Sequence, residues 1–406
     1  MTRRQAFVLS VTAALGCTSM GDPGTPTLSD SLGVSLVEYA RTLAAASGRR
    51  WSTESEPVLS IGELAPELFR VRAALFQSDG RVVLANGGSQ ELLLFDRDGQ
   101  PRGQAGGEGG GPGEFRELTF LSVGAGDSLF GYDTREHRLS VFDRTGAFTR
   151  AVTLRAVDAM GRADQVGVLR SGEIVGAFHR RTEGVGLVRD SLLVVLFDPS
   201  GGAAVTLGVF PHQFTHWGPH PIPGGAGTAA FPLPVAFSSL AAMSVHDTSI
   251  YVGLADRLAL IRLDRTGTRR ITRQQEAPGA VTEAHRQRLF TALAARGMAE
   301  RELEILRELR GPTTPPAFGN EPLTASYDEQ AMLVTDLDGL WLQPFQLPDS
   351  AGAAWLRFDA QGFYEGTVTL PARFRPTAVR RDVVLGVYRD TADVEHVRAY
   401  RLVVSR

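Results

Sequence analysis

Cysteine occurs once in the 406 residues, at Cys17, so no disulfide can form within the chain and stability must come from packing. Asparagine is almost as scarce, at Asn86 and Asn320 only, which argues against a hard-cation site that draws on asparagine oxygens. Charge of one sign is missing too. The formal net charge is −3 at pH 7 and there is no long basic run, which excludes an extended phosphate-binding surface. A chain of this length normally splits into two domains, unless a repeat architecture spreads the core radially.

The N-terminus carries an address. Arg3 and Arg4 precede an apolar run from Ala6 to Leu15 that is too short to span a bilayer and ends in Gly16-Cys17. Ala14-Leu15-Gly16-Cys17 resembles the lipobox of bacterial lipoproteins, and the resemblance implies acylation of Cys17 after export. The alternatives are an ordinary secretory signal with an incidental cysteine, or a twin-arginine signal at Arg3-Arg4. Residues 1–17 are thus expected to be a signal peptide. Residues 18–32, rich in Ser, Thr, Pro and Gly, are expected to be a flexible tether. Acyl chains would then anchor the protein to a membrane, in the periplasm, at the outer membrane or at the cell surface.

The rest of the chain is dominated by one recurring segment. An apolar stretch meets an Asp, and a Gly follows three residues later: Asp96/Gly99, Asp143/Gly146, Asp198/Gly201, Asp264/Gly267 and Asp359/Gly362. The residue before each Asp is large and apolar: Phe95, Phe142, Phe197, Leu263 and Phe358. Asp can cap the turn and Gly tolerates positive φ, so each copy reads as a β-hairpin. The spacings are 47, 55, 66 and 95 residues, and the shortest fits a four-stranded propeller blade. A second turn precedes each hairpin, as at Asp79-Gly80, Gly126-Asp127, Ser171-Gly172, His246-Asp247 and Asp338-Gly339. Two hairpins make a blade.

A sixth unit, Phe374 to Arg406, has strands at Val383–Tyr388 and His396–Val404 but no outer strand. Val58 to Gly62 has the character of the missing strand and is expected to pair there, closing the ring and removing exposed edges. Gly33–Tyr39 is expected to lie as an extra strand near that seam. The expected fold is therefore all-β, a six-bladed β-propeller over residues 33–406 closed by an N-terminal strand. Two insertions interrupt it. His212 to Leu233 reads as a Pro/Gly/His-rich loop. Residues 281–311, between blades four and five, read as a helical hairpin broken at Gly297 and ended by Pro312.

The stretch Gly110 to Phe115, followed by Asp127, Tyr132-Asp133 and Arg138 to Asp143, resembles an NHL-type blade. From Asp30 onward the chain is similar to the six-bladed β-propeller lipoproteins of bacteria. That resemblance implies the fold and hardly constrains function, since NHL-like propellers include binders and enzymes.

No catalytic constellation emerges. Gly126-Asp127-Ser128-Leu129 spells an esterase nucleophile motif but falls on a strand turn, where Asp and Gly are punctuation. His212, His216 and His220 are spaced by four, a metal-binding pattern on a helix, yet Pro211, Pro219, Pro221 and Pro223 exclude a regular helix. Gly106 to Gly113 lacks the Lys of a phosphate loop. Loops between second and third strands hold Arg135, His179, Arg180, Arg257 and Arg389, a candidate ring of donors for an anionic ligand at the channel mouth. No metal ligand set is assigned and no cofactor is expected; a carboxylate-only calcium site is the one open possibility. The leading functional expectation is a monomeric, envelope-anchored binding or scaffold module for a protein, peptide or small anionic ligand, not nucleic acid. The alternative is a metal-dependent hydrolase or lactonase using the channel.

Overall fold

The recurrent Asp residues close their turns alike. Oδ1 of Asp96 accepts the N–H groups of Asp98 and Gln100, Asp143 those of Thr145 and Ala147, and Asp198 those of Ser200 and Gly202. Asp359 accepts from Gln361 and Phe363, and Asp264 from Thr266. Gly99, Gly146, Gly201, Gly267 and Gly362 all take positive φ, which a side chain would resist.

The computed structural model describes residues 25–43, 48–62, 67–154, 163–202, 205–221, 227–309, 311–319, 321, 323, 333–335, 339–347 and 354–405. Cys17 and Asn320 lie outside them. The N-terminal part holds β1 (Thr27–Ser31), β2 (Val34–Tyr39), β3 (Arg49–Thr53) and β4 (Leu59–Ile61). The first antiparallel array is β5 (Val71–Phe76), β6 (Val82–Asn86), β7 (Glu91–Phe95) and β8 (Pro101–Gly106). The second is β9 (Leu118–Val123), β10 (Leu129–Asp133), β11 (Arg138–Phe142) and β12 (Phe148–Thr153). The third is β13 (Ala163–Val168), β14 (Ile174–Arg180), β15 (Gly186–Phe197) and β16 (Val205–Pro221), extended by β17 (Thr228–Pro234). The fourth is β18 (Ala241–His246), β19 (Ser249–Leu254), β20 (Ala259–Asp264) and β21 (Gly267–Gln274). After the helices α1 (Glu283–Ala295) and α2 (Glu300–Glu308) comes the fifth: β22 (Leu333–Thr335), β23 (Gly339–Leu342), β24 (Trp355–Asp359) and β25 (Tyr364–Thr369). The last is β26 (Phe374–Arg380), β27 (Val383–Arg389) and β28 (Glu395–Val404).

The first strand of each array touches the first strand of the next, through β5, β9, β13, β18, β22 and β26, and β26 returns to β5. Hydrophobic cores lie between successive arrays. The apolar residue before each recurrent Asp faces the preceding array. Phe95 packs with Leu385 and Val397 of the last, Phe142 with Leu92 of the first, Phe197 with Leu139 of the second. Leu263 packs with Val194 of the third and Phe358 with Leu260 of the fourth. Each such side chain is at most 2% exposed, so that one sequence position carries the packing around the axis.

The chain's two ends meet in the last array. β4 pairs antiparallel with β28, Ile61 opposite Val397 and Leu59 opposite Ala399. β3 pairs parallel with β25 and antiparallel with the end of β28.

Three expectations are corrected. Gly33–Tyr39 does not lie at the seam: β2 pairs parallel with β21 in the fourth array. There Val37 and Tyr39 bury themselves in the core between the fourth and fifth arrays, which rewards that edge over the seam. The expected tether contains a strand, since β1 pairs with β2 through a two-residue turn, Leu32-Gly33, with both φ positive. His212 to Leu233 is not a loop over its described residues. These form the long end of β16 paired with β17, and an extended edge strand accommodates proline's fixed φ and missing N–H.

Thr282 caps α1, its Oγ1 accepting from His285 N, and Gly297 turns the chain toward α2 at φ +85°. Leu289, Leu293 and Leu303 bury against Ala236, Phe237 and Leu347. Among the described residues no helix is long and apolar enough to cross a membrane.

Candidate functional site: an axial cavity

Because successive first strands all present the same end to one side, the described turns that follow them gather around a single mouth. A cavity of about 520 Å³ opens there. Every array contributes a branched aliphatic residue to its wall, among them Leu75, Val123, Val166, Val245, Val334 and Val379. Hydroxyls of Ser122, Ser244 and Thr377 interrupt the apolar surface. His246 and Arg380 supply its ionisable groups; no Asp or Glu among the described residues lines it.

The rim is fixed by bonds between arrays. Asp127, buried at φ +61°, accepts from Ser78 N at 2.7 Å and Ser78 Oγ at 2.6 Å. Arg380 donates from Nη2 to Ser78 O at 2.6 Å and from Nη1 to Gln77 O at 3.2 Å. Gln77 Nε2 donates to Arg144 O at 3.0 Å. Across the mouth, Arg170 pairs with Asp247 and donates its backbone N–H to Asp247 O at 2.8 Å. The esterase-like string therefore acts as a clasp: Asp127 holds the neighbouring turn, and Ser128 Oγ donates to Ala125 O at 2.9 Å.

The ring of donors read from the sequence lies elsewhere. Thr134 N donates to Glu117 O, and Arg389 N to Arg373 O, so the second-to-third-strand turns sit beside the beginnings of the innermost strands. The cavity is lined by the other ends, and none of Arg135, His179, Arg180, Arg257 and Arg389 lines it. Two of the five are tied into the scaffold. His179 Nε2 meets Asp190 Oδ2 at 2.8 Å, and Arg389 pairs with Glu395 at 3.1 Å. Burial would raise the Asp190 carboxyl, but hydrogen bonds from His179 and Thr182 bring it below the usual carboxylate range. Arg135, Arg180 and Arg257 are exposed.

The histidine triplet divides. His216 and His220 face each other at 3.4 Å on the β16 arm. His212 is buried, stacks edge-on to His179 at 4.9 Å, and accepts from Ala241 N at Nδ1. Its burial pushes the imidazole down to about 3, so it stays neutral. Among the described residues no group of three or more His, Cys, Asp and Glu side chains is placed to hold a metal ion.

The blade-two motif is packing. Phe115 is fully buried between the first two arrays, and a Cβ on Gly131 would stand 2.5 Å from its ring. Arg138 clamps the glycine-rich connection through Gly110 O, Gly111 O and Glu114 O. Asn86 anchors its own turn, accepting from Phe69 N and donating to Glu67 O and Ser89 Oγ.

His246, Arg380 and Ser78 went unread in the sequence as site residues. The signal available was positional: each sits at the end of a first strand, where a recurring Asp or Gly marks the turn.

No protein-family model and no curated protein matches the sequence. Solved structures resemble it in fold alone. A member of the DUF4221 family from Bacteroides vulgatus is 10% identical over 88% of this chain and 100% of its own, with a TM-score of 0.47. Virginiamycin B lyase from Staphylococcus aureus is 11% identical over 83% and 98%, TM-score 0.40. The calcium-binding protein regucalcin from Agrobacterium tumefaciens is 13% identical over 87% and 97%, TM-score 0.39. At such scores the architecture rests on the strand pairing described above, and nothing about ligands carries over.

Proposed function

We propose that this chain is a six-bladed β-propeller, exported and held at the cell envelope by acyl chains on Cys17, that works as a binding module. The single observation that carries this reading is the axial cavity. It is a concave, mainly apolar space of ligand size with a few polar groups gathered at one end, which is the general form of a small-molecule site. The cyclic contact of the first strands and the interlocked rim support a rigid, preformed pocket. The opposite face, with Arg135, His179, Arg180, Arg257 and Arg389, and the α1–α2 pair offer surfaces for an envelope protein or peptide.

The test is chemical. The full chain is isolated from its membrane, denatured, and the released small molecules are identified by mass spectrometry. Wild type should release an enriched compound that is lost from Ser122→Phe, whose added ring projects into the cavity. Identical release from both proteins would overturn the reading.

A further inference from the structure

We infer that the axial cavity takes an amphipathic carboxylate, with an acyl chain against the aliphatic wall and its head group at Arg380. This rests on the binding reading above and deepens it by naming the ligand class.

The wall argues for the tail. Leu75, Val123, Val166, Val245, Val334 and Val379 line the space from every array, and a flexible alkyl chain can follow such a surface without needing directional partners. The hydroxyls of Ser122, Ser244 and Thr377 are too sparse to specify a sugar or nucleotide, which would demand a dense set of polar partners.

The charge at one end argues for the head. Among the described residues, the groups lining the cavity that can carry charge, Arg380 and His246, can only be neutral or positive. Two carboxylates behind the rim are already engaged and do not line the space: Asp127 accepts two hydrogen bonds from Ser78, and Asp247 pairs with Arg170. A guanidinium has five N–H donors. Two of those on Arg380 go to Gln77 O and Ser78 O, which fixes its plane at the mouth and leaves donors for a ligand. A planar, pre-oriented fork suits a carboxylate better than a neutral hydroxyl or an amine. His246, from the fourth array, approaches the same space from another side and adds an imidazole.

Octanoate, octanol and octylamine share a tail and differ in head group, so they test the assignment directly by isothermal titration into the full chain. Octanoate should bind once per chain, at least tenfold more tightly than octanol or octylamine, as a charge-assisted hydrogen bond commands. Arg380→Gln, which keeps an amide donor at the rim, should cut octanoate affinity at least tenfold and leave octanol binding in place. Ser122→Phe should remove binding of all three and so define the background from partition into membrane. Octylamine binding as tightly as octanoate would overturn the inference, as would an Arg380→Gln protein with unchanged octanoate affinity. Equal binding of octanol and octanoate would overturn the carboxylate assignment while leaving the cavity a ligand site. Failure of every probe, with a different compound lost from Ser122→Phe in the extraction experiment, would remove the acyl class and keep the binding reading.

Discussion

Arg380 Nη2 meets the carbonyl oxygen of Ser78 at 2.6 Å, joining the last array to the first. Two more side chains of β26 do the same along β5. Arg375 donates to Val71 O at 2.6 Å and Arg72 O at 3.3 Å, and Thr377 Oγ1 donates to Ala74 O at 2.7 Å. The protein has no lysine, and the seam uses what arginine offers: a rigid fork that holds two carbonyls at once. Arg375→Met should strip donors from carbonyls that are largely out of water, at a cost of about 1–3 kcal/mol. Urea unfolding measures it; an unchanged midpoint would mean that the seam is held by apolar packing alone.

Phe115 and Gly131 form a lock and its recess. Gly131→Ala would place a methyl group inside contact distance of the Phe115 ring, with an overpacking cost of about 1–3 kcal/mol. Phe115→Leu alone should also destabilise, because it hollows a fully buried site. In the double variant the smaller side chain makes room for the methyl, so the two penalties should add to less than their sum. Strict additivity would place the strain of Gly131→Ala elsewhere.

Glu321 and His212 set opposing pH dependences. Burial pushes the Glu321 carboxyl up to about 8 from its ordinary value of 4.5, against hydrogen bonds from Leu323 and Phe237. The folded chain then keeps a proton that the unfolded chain has released, so this group removes stability as pH rises from 4.5 to about 8. His212 is lowered by burial from 6.5 to about 3, so the unfolded chain gains a proton first, and stability falls as pH drops below 6.5. Between 4.5 and 6.5 the two slopes offset; above 6.5 only Glu321 acts. Glu321→Gln should flatten the decline between pH 6.5 and 8, which for wild type runs to at most ~1.4 kcal/mol per pH unit. Denaturant midpoints across that range decide it, and parallel curves for the two proteins would exclude Glu321 as the source.

Cys17 carries the anchoring proposal. Cys17→Ala should move the protein from the membrane fraction to the soluble fraction after export, and wild type should label with palmitate. Membrane retention of the variant would show that another part of the chain binds the envelope.

Much of the fold was legible because it repeats. Asp96, Asp143, Asp198, Asp264 and Asp359 mark turns whose chemistry is local, and the pairing of the Val58–Gly62 segment with the C-terminal strand followed from counting a missing strand. Gly33–Tyr39 was misplaced because an edge strand can add to any open sheet; only the buried contacts of Val37 and Tyr39 choose the fourth array. The β16–β17 arm was hidden by its prolines, which argue against a helix and equally fit extended chain at an edge. The cavity was the least legible part. Turn chemistry locates both mouths of the axis, but which one opens depends on which side chains of every array meet there. That brought Arg380 and His246 to the wall and left Arg135, His179, Arg180, Arg257 and Arg389 at the far end.

The account depends on the chain's two ends meeting as β4 against β28, and Ile61 and Val397 stand opposite each other there, both buried. In the full chain carrying Cys17→Ser, the pair Ile61→Cys and Val397→Cys should oxidise to an intramolecular disulfide, since directly paired strand positions lie within bonding reach. Non-reducing electrophoresis should show a faster monomer that reverts on reduction. Free thiols, or crosslinks only between chains, would contradict the closed ring and the cavity it encloses.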